Sequence, residues 1–132
     1  MAITKKNGHQ DVLSCIAEVE IDGDYAGTVD APLLELPGDA VIVQGSLLVD
    51  EAVTGMTLPT LALDLKLASG DVVLLAATAI DAAGATAITN YEAVTGEVVD
   101  VAVTAGGSGT PTGGKVYVEI CYVRTDRVTE VR

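Results

Sequence analysis

The stretch Gly109 to Val116, GTPTGGKV, has the G-x-x-x-x-G-K spacing of a phosphate-binding loop. Such a loop needs Ser or Thr after the lysine to hold Mg²⁺ and a helix whose N-terminal amides face the phosphates. Here Val116 follows Lys115, and VYVEICYV alternates and is rich in β-branched and aromatic residues, which predicts a strand. The nucleotide reading fails on both counts. Ser108 in GGSGT resembles a nucleophile elbow without the final glycine or the following helix. A Ser-His or Cys-His pair requires an imidazole held beside the nucleophile, and the single histidine, His9, lies in an N-terminal arm. The carboxylate pairs Asp22/Asp24 and Asp50/Glu51 sit too close in sequence to span a sugar cleft as glycosidase acids do. Asp22-Gly23-Asp24 offers oxygen ligands for Ca²⁺ but lacks the twelve-residue loop with its terminal Glu, so it reads as a hairpin turn. Cys15 and Cys121, without a second histidine, make no zinc site. No catalytic residue, metal or cofactor is expected, and the chain is expected not to be an enzyme.

The elements that carry these residues read as strands. Leu13, Cys15, Ala17, Val19 and Ile21 share one face of a first strand, with Ser14, Glu18 and Glu20 on the other. VDAPLLELPGD, with two prolines, predicts an edge strand ending at a Pro37-Gly38-Asp39 turn. In AVIVQGSLLVDEAV, Gly45 marks a bulge or a close backbone approach. TLPTLALDLKL alternates strictly, with Leu61, Leu63, Leu65 and Leu67 on one side. VVLLAATAI fits a buried strand or a short helix, and its Val-Val start and strand neighbours favour the strand. GATAITNYEAV and EVVDVAVT add two more, AGGSGTPTGG reads as a flexible surface loop, and KVYVEICYVRT closes the sheet. The expectation is an all-β fold: a single-domain antiparallel β-sandwich or jelly roll of about seven or eight strands. It comprises an arm at 1–10, the domain at 11–124 and a tail at 125–132.

A chain of 132 residues can bury roughly 65–70% of its unfolded surface, enough for one self-sufficient core. With no Trp, no Phe and four Tyr, that core has to be aliphatic. Nineteen acids against seven bases give −12, which opposes nucleic acid and anionic membranes. The scarcity of aromatics weighs against base stacking and against a lectin. No apolar run reaches the roughly 20 residues of a membrane span, and the N-terminus has no export signal, so a cytoplasmic origin is expected. In a reducing compartment Cys15 and Cys121 are expected as thiols even if the first and last strands adjoin.

The charge is segregated. Residues 1–10 hold Lys5 and Lys6 and no acid, +2; residues 124–132 set Arg124, Arg127 and Arg132 against Asp126 and Glu130, +1; the remainder sets Lys66 and Lys115 against 17 acids, −15. Basic ends on an acidic body nominate Lys5, Lys6, His9, Arg124, Arg127 and Arg132 as contacts to an acidic partner, including a second copy of the chain.

ELPGDAVIVQGSLLVDEAVTG, PTLALDLKLASGDVVLLAATAIDAAG and GTPTGGKVYVEICYVR occur in an order that resembles small head decoration (cement) proteins of tailed bacteriophages, over most of residues 30–124. The resemblance implies a β-sandwich or jelly roll that assembles, commonly as a trimer, on the outer capsid surface. There it would bind where major capsid proteins meet and hold them together as part of the virion, with no catalytic residues. A tail, head-fibre or host-contacting adhesin component is the alternative. A carbohydrate-binding jelly roll ranks lower, with only Tyr25, Tyr91, Tyr117 and Tyr122 as platforms.

Overall fold

The computed structural model describes residues 12–94 and 96–124. The arm at 1–10 and the tail at 125–132 lie outside them. Six antiparallel strands are formed: β1 (Leu13–Val19), β2 (Ala31–Leu36), β3 (Ala40–Leu67), β4 (Gly70–Ala79), β5 (Gly84–Ala87) and β6 (Val99–Arg124). The all-β expectation holds. The number is six because β3 and β6, 28 and 26 residues long, each join two of the expected segments.

These two strands pair along their whole length, from Ala40 opposite Arg124 to Leu65 opposite Val101. The residues 40–49 and 116–124 form one half of this ribbon, flanked by β1 and β5; 60–67 and 99–106 form the other, flanked by β2 and β4. We call these layer I and layer II. Register shifts concentrate between Val49 and Thr60, where the ribbon changes direction. Inward side chains of both layers, among them Ile42, Leu47, Val118 and Ile120 from the first and Leu61, Leu63, Leu65 and Val101 from the second, belong to a single buried cluster.

Local chemistry explains the details. Pro37 O accepts from Ala40 N at 3.1 Å, closing the turn expected at Pro37-Gly38-Asp39. β2, with Pro32 inside it and Pro37 just after it, pairs on one side only, with β6. The sequence from 70 to 79 is a strand, and its bulge opposite Leu63 lets adjacent Leu74 and Leu75 both face inward. Near Gly45 the register shifts between Ile42 and Gln44; a Cβ on Gly45 would lie 2.9 Å from the Cδ1 atoms of Ile88 and Ile120. The predicted close approach is therefore mainly to core side chains.

One expectation is corrected. AGGSGTPTGG is part of β6, with Gly113 opposite Thr54, Gly109 opposite Met56 and Ser108 opposite Thr57. Its glycines let two backbones approach: a Cβ on Gly55 would sit 2.6 Å from Thr110 O. Pairing with β3 satisfies the polar backbone that a loop would have given to water.

After β1, Asp22 Oδ1 accepts from Asp24 N at 2.9 Å and a 3-10 turn over Tyr25–Gly27 follows. Tyr25 is buried, and its hydroxyl donates to Thr60 O at 2.6 Å, tying this turn to the start of layer II. Burial pushes its pKa from the ordinary 10.0 up to about 12. A raised folded-state pKa means that the folded protein holds this proton more tightly than the unfolded chain does. The associated stability is complete below pH 10 and is lost as pH rises towards 12. Tyr25→Phe is expected to lose about 1 kcal/mol at pH 7 with the hydrogen bond. The gap between the two proteins should narrow in urea titrations at pH 11, since the variant lacks the alkaline loss.

Candidate interaction surface

Among the described residues, none of the sequence constellations examined for catalysis comes together as one. Ser108 lies in a paired strand, and Glu51 faces Lys115 across the ribbon. Asp22 is occupied in its turn with Asp24. Tyr25 is inside the core, which removes one of four possible sugar platforms. β1 and β6 are neighbours, but Cys121 stands opposite Ser14 while Cys15 stands opposite Ile120, which puts the thiols on opposite faces of the sheet. Both are free.

The outer faces of the two layers differ in character. In layer I, cross-strand rows run Glu18, Tyr117, Leu48, Ala85 and Ile16, Glu119, Ser46, Ala87. This face is mostly neutral, and Ile16 is 63% and Leu48 42% exposed. Glu119 accepts from the Ser14 hydroxyl at 3.2 Å. In layer II, Glu35 stands directly opposite Asp100, a like-charge pair that is unfavourable in itself. Across the same face Lys66 Nζ lies 2.6 Å from Asp71 and 3.3 Å from Asp30. Oxygens of Asp30, Asp64 and Asp71 lie within 4.8 Å of one another. Burial, then the charges of Asp30 and Asp71, push the Asp64 carboxyl above its ordinary range. The hydrogen bond to Asp71, then that to Asp30, raises the Lys66 ammonium against a lowering by desolvation. Lys66 thus supplies the cation for this cluster. Lys66 and Asp71 face each other across the short β3–β4 turn, and sequence reading missed the cluster because Asp30 reaches it from just before β2, distant in sequence.

Between the edges of β1 and β2 opens a cleft of about 350 Å³, rimmed by Glu18, Glu20, Asp22 and Asp24 over Val19, Tyr25 and Leu33. It offers acceptors, the Thr28 hydroxyl and an apolar floor, and no basic group lines it among the described residues. A further exposed residue, Leu58, is 75% accessible and has φ +51. That left-handed backbone is unusual for a leucine and is held where the ribbon turns.

Of the nominated contact residues, Arg124 is at the end of β6, where its Nε donates to both oxygens of Asp39 at 3.0 and 3.2 Å. That ion pair joins the last residue of β6 to the turn before β3. Lys5, Lys6, His9, Arg127 and Arg132 lie outside the described residues. Leu13 pairs with Tyr122, so the chain enters and leaves the described fold side by side, at one end of layer I. This juxtaposition of the two basic segments' attachment points was not legible from charge alone.

No protein-family model matches the chain, and no curated protein matches it. Solved structures that share its fold include three phage capsids. A chain of the cyanophage Pam1 capsid asymmetric unit aligns with TM-score 0.67 and 20% identity, covering 93% of this chain and 94% of that one. A chain of the capsid of Ralstonia phage GP4 aligns with TM-score 0.60 and 25% identity over 94% and 90%. A chain of the acid-stable capsid of Helicobacter pylori bacteriophage KHP30 aligns with TM-score 0.52 and 15% identity over 87% and 93%. The class defined is therefore a small antiparallel β fold, most of whose length is shared with chains of these phage capsids.

Proposed function

We propose that the chain is a non-enzymatic structural protein of a tailed-phage head that binds the outer capsid surface and cements the shell by bridging major capsid proteins. The observation that carries this reading is the fold similarity, over 87–94% of the chain, to chains of three phage capsids, one of them 25% identical. Charge distribution supports it. The basic segments attach at one end of layer I, while the acidic face of layer II is suited to solvent and would be repelled by packaged DNA. The reading includes self-association, because many copies on one lattice gain affinity through avidity.

Co-sedimentation with expanded phage capsids stripped of accessory proteins tests it. Saturable binding is expected, and a chain lacking residues 1–10 should keep the same circular dichroism while binding more weakly. Full-length protein that stays in the supernatant would sink the capsid reading and direct attention to tail assemblies. Equal binding by the truncated chain would remove the arm from the contact while leaving the capsid role intact.

A further inference from the structure

The edges of the two layers are not equally protected. Natural sheets guard their edges with short strands, proline, lysine, bulges or a covering segment. β2 carries Pro32 and a register shift between Pro32 and Leu34. β5 is four residues long. β4 is covered by the chain after β5, where Thr89 N donates to Leu74 O at 2.8 Å and Asn90 Nδ2 to Val73 O at 2.8 Å. β1 has none of these devices. It runs seven residues, Leu13–Val19, in unbroken register with β6, contains no Pro, Gly or Lys, and has no partner on its other side among the described residues.

We propose that this edge pairs with the β1 edge of a second copy, antiparallel and centred on Ile16, so that layer I of one copy continues into layer I of the other. The sequence of β1 is self-complementary in that register. Ile16 meets Ile16, burying a side chain that is otherwise 63% exposed. Ser14 meets Glu18, a neutral side chain against a carboxylate, and no two acids stand opposite each other. On the inner face Leu13 meets Val19 and Cys15 meets Ala17, apolar against apolar. Within β1 itself Glu18 is the only acid, with Glu20, Asp22 and Asp24 following it beside the cleft. Each copy carries −12, so salt strengthens the pairing by screening the repulsion between copies. The contact is isologous and closes at two copies, in place of the trimer implied by the resemblance. It stands whether or not the capsid reading does.

Light scattering of the full chain across a concentration series is expected to reach twice the 13.4 kDa monomer mass, at lower concentration in higher salt. Ile16→Lys, at an exposed position outside the core, should keep the far-ultraviolet dichroism and lose the dimer, because two lysines would then face each other. Cysteine pairing tests the register in a background carrying Cys15→Ala and Cys121→Ser. Directly opposed residues have Cα atoms about 4.5–5.5 Å apart, within disulfide reach, whereas Ser14 and its own copy would be displaced by four residues, about 14 Å. Ile16→Cys should therefore oxidise to a covalent dimer. Ser14→Cys or Glu18→Cys alone should not, while a mixture of those two chains should. A monomer at every concentration, a trimer, or equal cross-linking at all three positions overturns the proposal. So does a dimer that appears only when residues 1–11 are deleted, since the edge would then belong to the chain's own N-terminal segment.

Discussion

Gly107→Ala is expected to lower stability by about 2–5 kcal/mol, combining a disfavoured backbone conformation with crowding against the partner strand. Gly107 has φ +98, and a Cβ there would lie 2.7 Å from Leu58 O, 2.8 Å from Thr57 O and 2.9 Å from Pro59 Cα. All three are backbone atoms of β3, so no side chain can swing aside, and the strand itself has to move. Gly70→Ala provides the control, because Gly70 also has positive φ, +133, but a Cβ would have nothing within 4 Å. It should carry the conformational part alone, about 1–2 kcal/mol. Thermal unfolding separates them: at roughly 3–6 °C per kcal/mol for a domain of this size, Gly107→Ala should fall on the order of 10 °C or more. If AGGSGTPTGG were a loose loop, Gly107→Ala would be neutral or mildly stabilising through the unfolded chain. That result would refute the continuous ribbon.

The same stretch shows where sequence stops being informative. Leu61, Leu63 and Leu65 alternate with Ala62, Asp64 and Lys66, and the register of β3 with β6 turns the leucines inward as the period of two requires. Pro32 in β2 and Pro37 just after it likewise announced an edge. Between Thr54 and Thr57, and between Gly106 and Gly114, every local signal reads as turn or loop. These segments become strand because each supplies the other's hydrogen-bonding partner some 50 residues away, information held by neither alone. The seven or eight expected strands thereby become six without a change of fold class.

Site residues follow the same division. The basic character of the two ends is visible in composition, yet that both ends leave from neighbouring strands follows only from Leu13 pairing with Tyr122. Asp30, Lys66 and Asp71 belong to three different segments, and the acidic face they build could not be counted in advance. The nominated Arg124 was legible as a charge but not as the Asp39 partner that fastens the end of β6. Its role within the fold limits what an Arg124 substitution can report about binding, since any loss of affinity would be mixed with loosening of that end.

Leu63→Ala is expected to remove about 3–5 kcal/mol, a large part of the 5–15 kcal/mol that holds a domain of this size together. Leu63 is fully buried and lies on β3 between Leu75 of β4 and Val103 of β6. Strands hydrogen-bonded on both sides relax little, so the cavity persists and the loss lies in the upper half of the range measured for such truncations. The core has no Trp and no Phe whose ring could tilt into the space, and its neighbours are short Val and Leu side chains. Leu58→Ala removes the same atoms from a residue that is 75% exposed, and should change stability by less than about 0.5 kcal/mol. Urea unfolding of both variants, with an unchanged m-value, makes the comparison direct. Because the leucines of layer II and the valines and isoleucines of layer I form one buried cluster, Leu63→Ala should shift a single cooperative transition. Two separated transitions, or a loss below about 1 kcal/mol, would mean that the layers do not share that core and that the bend in the ribbon does not bring them together.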